Sequence, residues 1–301
     1  MKLEWRRSKR IEFNLNRQEK MFLRYGIELS RSTMAEWIVK AAGWCNPLMD
    51  LLYKELLVGP LINVDETPIL VLNEPERANT TKSYMWVFRG GYHDKPLLLF
   101  EYSETRSGAL PRDVLAGYRG YCQTDGFSGY DALEASNPNI RLVGCFFHAR
   151  RNFVKVIDAR GKVAKKKPGS AEVALDYIGR LYKVEKIARE RKLSAWDKLI
   201  RYTENGYITP DDTMVENDIR PYAVGSRNWL FAGHPNGAHA SATLYSLIVT
   251  ARACGLDPYQ YLRLLFSKIP HTRTEDDFRA LMSQNLTSEM LSCFLSSLSF
   301  L

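Results

Sequence analysis

Leu61-Ile-Asn-Val-Asp65, running on into Glu66-Thr-Pro68, is the stretch on which the fold class turns. A short apolar run rich in β-branched residues, bounded by proline and polar residues, reads as a buried strand. Here it places a carboxylate at its end. Two similar runs follow, Tyr84–Arg89 and Pro96–Tyr102, each bounded by Gly, Pro, Asn or Asp. Ser107–Tyr118 then reads as a short helix, Gly120–Asp125 as a fourth strand and Ile140–Phe147 as a fifth. Three strands, a helix, a strand, a connection, a strand and then helices describe an α/β chain with a mixed sheet flanked by helices.

Upstream of the sheet, residues 18–44 carry helical periodicity broken at Gly26. Met21, Phe22 and Tyr25 share one apolar face, and Met34, Trp37, Ile38 and Ala41 repeat at i, i+3, i+4 and i+7. Thr33 and Glu36 have capping-box spacing, while Ser30 or Ser32 serves equally well as the cap of the second helix. Two helices about a glycine turn, beside the basic Arg6, Arg7, Lys9 and Arg10, are compatible with a helix-turn-helix as well as with a plain helical hairpin.

Downstream, Ala171–Tyr202 is helical in pattern, with Val173, Leu175, Ile178, Leu181, Tyr182 and Ile187 as its stripe. Asp211 or Asp212 caps a short helix containing Met214, Val215 and Ile219 that Pro221 limits. His239–Cys254 reads as a longer helix ending at Gly255, and Pro258–Phe266 begins another. Gly233–Ala238 reads as a connecting loop. The expected organisation is a helical region at 1–58, the first part of the sheet domain at 59–160, a helical insertion at 161–205, helices carrying a further carboxylate at 206–270, and a tail at 271–301.

Asp65 and Asp125 each end a strand, and Gly126 allows a tight exit after the second. If the two strands are neighbours, their carboxylates converge, and one turn of the helix at 213–220 can bring Glu216 over them. Such clustered like charges are costly unless they hold cations, and oxygen-only ligands select hard ions such as Mg²⁺ or Mn²⁺. A pair of such ions suits phosphoryl transfer. On position alone Glu66 and Asp131 compete with the aspartates, and Asp211, Asp212 and Asp218 compete with Glu216. Strand alternation turns Glu66 away from the face that Asp65 uses.

A net charge of +8 favours polyanionic partners through salt-dependent, sequence-independent attraction. Lys162, Lys165, Lys166 and Lys167 form one basic block, and Arg150 and Arg151 another. The five cysteines are scattered and form no C-x-x-C pair, so a disulfide framework and a four-cysteine zinc site are not expected, and a reducing cytoplasm fits. Cys145 and His148 have the spacing of half a zinc site without a second pair. No signal-peptide pattern or apolar run of membrane-spanning length is visible in the sequence.

Several blocks together resemble the transposases of the insertion sequence 66 family: Val64-Asp-Glu-Thr67, Gln123-Thr-Asp-Gly-Phe-Ser-Gly-Tyr130, Cys145-Phe-Phe-His-Ala-Arg-Arg151, Val215-Glu-Asn-Asp-Ile-Arg-Pro221 and Arg227-Asn-Trp-Leu-Phe-Ala-Gly233. Glu28-Leu-Ser-Arg-Ser-Thr33 and Ala242-Thr-Leu-Tyr-Ser-Leu-Ile248 extend the likeness over roughly residues 18–270. The resemblance implies a ribonuclease H-like fold and a DDE triad of Asp65, Asp125 and Glu216 holding two Mg²⁺ or Mn²⁺ ions. It implies DNA as partner, both the terminal inverted repeats and the target, with a homo-oligomer on paired ends in a bacterial cytosol, associated with the nucleoid. Arg31 in the helix-turn-helix, Arg150, Arg151, Arg220, Arg227 and Trp229 become candidate DNA contacts, with core packing the alternative for Trp229. Cys145 and His148 become supporting residues, with a buried, hydrogen-bonded histidine the alternative.

Family members begin with a longer N-terminal region and carry a longer helical insertion before the glutamate, where Arg191-Lys-Leu-Ser here runs directly into Ala195-Trp-Asp-Lys. The chain is therefore expected to be shortened at both places, with consequences for repeat recognition and for the placement of Glu216. A non-catalytic DNA-binding remnant that regulates an intact element, and a different nuclease of the same fold, are the alternative functions.

Overall fold

The computed structural model describes residues 15–92, 94–160, 169–191, 213–229 and 232–298. Its centre is β1 (Leu61–Leu70), flanked by β2 (Lys82–Tyr92) and β4 (Gly120–Thr124), with β3 (Lys95–Ser103) and β5 (Ile140–Gly144) outside them. The strand order is β3-β2-β1-β4-β5. β1, β2 and β3 pair antiparallel, and β1, β4 and β5 pair parallel. This mixed five-stranded sheet flanked by helices is the arrangement expected of a ribonuclease H-like fold.

Alternation along the strands divides the apolar residues between two layers. On one face Ile62, Val64, Trp86, Phe88, Leu97 and Leu99 meet helix α3 (Asn46–Leu56), whose Leu48, Leu51, Leu52 and Leu56 are buried at helical spacing. On the other face Ile69, Met85, Val87, Leu98 and Phe100 meet helices α8 (Thr213–Trp229) and α9 (Pro235–Ala253). Helix α10 (Pro258–Lys268) adds Tyr261, Leu264 and Leu265 to the first layer. Within the region expected to be a tail, α11 (Glu275–Ala280) and α12 (Ser288–Leu298) form, and Leu281, Met282 and Leu291 are buried in that same layer.

The edge strand β3 leaves peptide groups facing away from β2, a liability in any open sheet. Helix α9 meets them with hydroxyls: Phe100 N–H donates to Ser246 Oγ at 2.8 Å, and Leu98 N–H donates to Thr250 Oγ1 at 3.0 Å. Thr250 in turn donates to the Leu98 carbonyl at 3.0 Å. Ala238, Ala240, Ala242 and Ala251, all buried, keep the helix small on its packed sides.

Several boundaries differ from the sequence reading, each for a local reason. β1 does not end at Asp65 but runs to Leu70, because β2 continues to pair with it as far as Lys82. The fifth strand stops at Gly144, and Phe146 already begins helix α6 (Phe146–Arg160). The loop expected at 233–238 is largely helix: His234 caps α9 by accepting from Asn236 N–H, and Pro235 stands in the first turn, where its missing N–H is harmless. Met21 of α1 (Leu15–Arg24), Tyr25 in the turn after it and Trp37 of α2 (Arg31–Trp44) are exposed. Ser30 is the cap of α2, accepting from Thr33 N–H. Helix α7 (Ser170–Arg191) is described as far as Arg191, so the Tyr202 end of the expected helix and the junction before Ala195 lie outside the described residues. Among the described residues no helix is long and apolar enough to cross a membrane.

Pro221 does not limit its helix either; α8 passes through it to Trp229. An internal proline costs about 3 kcal/mol. Just beyond it the fully buried Tyr222 ring lies 4.8 Å from Tyr245 and 6.0 Å from Phe100, centroid to centroid. Burying a large side chain contributes roughly 1.5–3 kcal/mol, enough to offset the proline. Tyr222→Ala is therefore expected to lower stability by about 3–5 kcal/mol in urea unfolding. A loss below about 1 kcal/mol would mean that the second half of α8 is held by something else.

Candidate active site

The parallel pairing of β1 with β4 sets Leu61 opposite Tyr121, Ile62 opposite Cys122 and Asn63 opposite Gln123. Asp65 and Asp125 each stand two residues beyond the paired Asn63 and Gln123, Asp65 within β1 and Asp125 just after the end of β4. Asn63 and Gln123 are both buried, and Asn63 Nδ2 donates to Gln123 Oε1 at 2.7 Å. A one-residue slip would separate these amides and leave polar groups unpaired in the core, which costs about 1–3 kcal/mol each. The hydrogen bond thus locks the β1–β4 register two residues before each aspartate.

Each aspartate is also held by its own backbone. Asp65 Oδ1 accepts from Glu66 N–H at 2.9 Å, and Asp125 Oδ1 accepts from Phe127 N–H at 2.8 Å. The second contact is an Asx turn, and Gly126 within it has φ of +82°, a conformation that disfavours any side chain. By alternation Asp65 lies on the side of Asn63 and Ile69, the side covered by α8.

Helix α8 turns Val215, Ile219 and Tyr222 inward at helical spacing, all three buried. Glu216, one step round from Val215, is half-buried and accepts from Arg151 Nη2 of α6 at 2.7 Å. The Arg151 guanidinium also lies 4.9 Å from the Phe147 ring centroid. Asp218 is engaged elsewhere, in an ion pair with Arg89 of β2. Burial pushes the Asp218 carboxyl above its ordinary range and Arg89 opposes that shift. Of the competitors, Asp131 is exposed at the start of α5 (Asp131–Ser136), and Asp211 and Asp212 lie outside the described residues. Among the described residues no three His, Cys, Asp or Glu side chains form a group able to hold a metal ion. Asp65 and Asp125 follow the paired Asn63 and Gln123 on neighbouring strands, and Glu216 faces Arg151.

A second cluster adjoins Asp125 and was not legible beforehand. Glu66 points away from Asp65, as alternation requires, and its carboxylate is met by Arg106 Nε at 2.5 Å and by the Tyr130 hydroxyl at 2.7 Å. Burial and the neighbouring Glu66 push the Tyr130 phenol well above its ordinary range, so it stays protonated as a donor. Arg106 Nη2 reaches Asp125 Oδ2 at 3.3 Å, and the guanidinium lies 4.0 Å from the Phe127 ring centroid. Gly108 makes this meeting of loops possible: a Cβ there would stand 2.1 Å from the Gly129 carbonyl oxygen. Periodicity carries no trace of the contact, since Arg106 lies in an irregular segment after β3.

The other sequence candidates take several places. Cys145 is buried, and its N–H donates to the Thr124 carbonyl at 3.0 Å. His148 is in the first turn of α6 and not at a strand end, because β5 stops at Gly144. Arg150 and Arg220 are exposed on α6 and α8. Arg31 is exposed and pairs with Glu19 of α1 at 3.0 Å. The backbone of Arg227 and Trp229 belongs to α8, while their side chains lie outside the described residues.

Comparison with known proteins follows the same residues. The model of the transposase IS66 family matches residues 11–195 and 188–240, and that of the IS66 C-terminal element matches residues 246–284. Two proteins of Sinorhizobium fredii (strain NBRC 101917 / NGR234), the uncharacterized proteins y4qI and y4jD, are each 28% identical to this chain. The matches cover 92% and 85% of this chain and 60% and 59% of theirs, so the chain spans about three fifths of the length of these relatives. A simian T-cell lymphotropic virus intasome in complex with PP2A regulatory subunit B56 gamma is similar over 40% of this chain and 48% of its own, at 14% identity and a TM-score of 0.23.

The Arg89–Asp218 pair ties α8 to the sheet, with side chains 18% and 20% exposed. Arg89→Leu is expected to cost about 3 kcal/mol, since it strands a largely buried carboxylate. Arg89→Leu combined with Asp218→Leu should regain most of that loss in urea unfolding. An additive double variant would show that the two groups are not coupled.

Proposed function

The chain belongs to the IS66 transposase family, and from that premise we propose that it catalyses metal-dependent strand cleavage and transfer at transposon ends. The observation that carries this reading is the parallel register of β1 with β4, which sets Asp65 and Asp125 each two residues beyond the paired Asn63 and Gln123. Asp65, Asp125 and Glu216 are the proposed triad and would hold two Mg²⁺ or Mn²⁺ ions. The residues fit such ions in two respects. Their donor set is oxygen only, which suits hard divalent cations, and guanidinium groups already stand against Asp125 and Glu216. When bound, the ions supply charge stabilisation on both sides of an in-line displacement at phosphorus.

In the first step a water oxygen forms a bond to the phosphorus at the transposon end as the P–O3′ bond breaks, and the departing oxygen takes a proton to become a 3′-hydroxyl. In the second step that hydroxyl oxygen gives up its proton and bonds to a target phosphorus, displacing the target's own 3′-oxygen, which leaves as a hydroxyl by taking up a proton. The chain's residues prepare these steps. Arg151 is 43% exposed, and an ion pair so open to water is worth about 0–1 kcal/mol, so Glu216 is readily released. Arg151 and Arg150 then face the DNA backbone, whose phosphates a guanidinium fork matches.

Arg220, Arg227 and Trp229 of the same helix as Glu216 are assigned to the transposon end, with Trp229 stacking on a base. Arg31, at the start of α2, is assigned to DNA contact by the two N-terminal helices. Cys145 and His148 support the site from the start of α6. The partners are the terminal inverted repeats and target DNA, bound by a homo-oligomer on paired ends in the cytosol.

A second reading, a DNA-binding regulator without cleavage, is favoured by one observation: Glu216 rests on Arg151 and does not join a three-carboxylate group among the described residues. One assay separates the two. With family-type terminal repeats and Mg²⁺ or Mn²⁺, the protein is expected to nick DNA, and Asp65→Asn to reduce nicking at least about a hundredfold. Gel-shift binding without metal-dependent nicking would establish the regulator instead, and equal nicking by wild type and variant would sink the triad.

A further inference from the structure

Arg106 is held from three directions. Its Nε and Nη2 both engage Glu66, its guanidinium packs on the Phe127 ring, and Nη2 makes a longer contact to Asp125. The two members of the Glu66 pair differ sharply in exposure: the Glu66 side chain is 2% exposed and the Arg106 side chain 37%. Sinking a carboxylate this deeply is unfavourable unless it is paired and hydrogen-bonded, and here Arg106 and Tyr130 provide both. The result is a guanidinium fixed in orientation on a half-exposed side chain, in contact with Asp125 just beyond the end of β4.

Partial neutralisation by Glu66 also matters. An uncompensated arginine at this place would oppose the binding of divalent cations by the aspartates, whereas one already paired with a buried carboxylate opposes it far less. It keeps its planar donor fork, which matches the non-bridging oxygens of a phosphodiester. The Asp125 contact, at 3.3 Å, is the longer of the two carboxylate contacts and the one that can be exchanged.

We propose that Arg106 is a substrate-contacting residue, donating from its exposed edge to a backbone phosphate of the DNA strand that lies at Asp65 and Asp125, with Glu66, Phe127 and Tyr130 as its positioning residues. The proposal rests on the reading that this edge of the sheet faces DNA. It separates from a purely structural role, in which Arg106 serves only as the counter-ion of Glu66.

The test measures binding of a short, fluorescein-labelled DNA duplex of mixed sequence by fluorescence anisotropy, in Ca²⁺ and over a range of salt, alongside thermal unfolding. Arg106→Gln alone is expected to lower the melting temperature by stranding Glu66, and Arg106→Gln with Glu66→Gln to restore it. The double variant should nonetheless bind the duplex about fivefold to tenfold more weakly, with a salt slope shallower by about one. Arg106→Lys, which keeps the charge but not the fork, should also lose affinity and serves if the double variant fails to fold. Wild-type affinity and slope in either folded variant would overturn the proposal while leaving the cleavage reading intact wherever wild type nicks DNA. Wild type that binds without nicking, with weakened variants, would support Arg106 and defeat cleavage. No binding by wild type would overturn both.

Discussion

The hydrogen bond between the Asn63 and Gln123 side chains, buried between two parallel strands, is the constraint on which the rest of the site depends. Parallel pairing has a side-chain period of two, so a slip by one residue would turn every side chain of β4 to the opposite face. Apolar residues resist such a slip only by their volume. A pair of buried amides resists it by the cost of unmade hydrogen bonds, and it does so two residues below Asp65 and Asp125. The register of the strands that carry them is here a polar specification within an apolar sheet.

A similar division of labour places α8. Val215, Ile219 and Tyr222 seat the helix on the sheet, which sets its distance but leaves its rotation and translation loosely determined. The Arg89–Asp218 pair supplies a directional contact from β2, on the same helix as Glu216 and two residues beyond it. The aromatic contacts of Tyr222 carry the helix past Pro221. Helix α9 in turn meets the open edge of β3 with Ser246 and Thr250, which pair with the peptide groups of Phe100 and Leu98.

Arginines meet several partly covered carboxylates of this region: Arg89 on Asp218, Arg106 on Glu66 and Asp125, Arg151 on Glu216. These pairs are not equivalent. Arg89 is largely buried and structural. Arg151 is open to water, so its pairing is weak and exchangeable. Arg106 stands between them, anchored on a buried partner and exposed on its outer side. The gradient follows distance from the core, and it separates residues that hold the fold from residues free to meet a ligand.

Much of this was legible in the sequence. The order of five strands, the helices around them, the glycine turn at 126 and the positions of Asp65, Asp125 and Glu216 all follow from local pattern and from the matched family blocks. Alternation alone turned Glu66 from the face of Asp65. What local pattern misjudged were boundaries that depend on a partner: β1 runs past Asp65 because β2 is there to pair with it, and α8 survives Pro221 because Phe100 and Tyr245 receive Tyr222. The network around Arg106 had no sequence signal, since it joins residues 66, 106, 125, 127 and 130 through two irregular loops whose meeting requires Gly108 and Gly129 to touch. By itself the sequence determined which chemistry is present and on which elements it sits, because periodicity and turn residues are local properties. Only the tertiary structure decided which charges face one another, because ion pairing depends on distance through space between segments that the chain order keeps far apart.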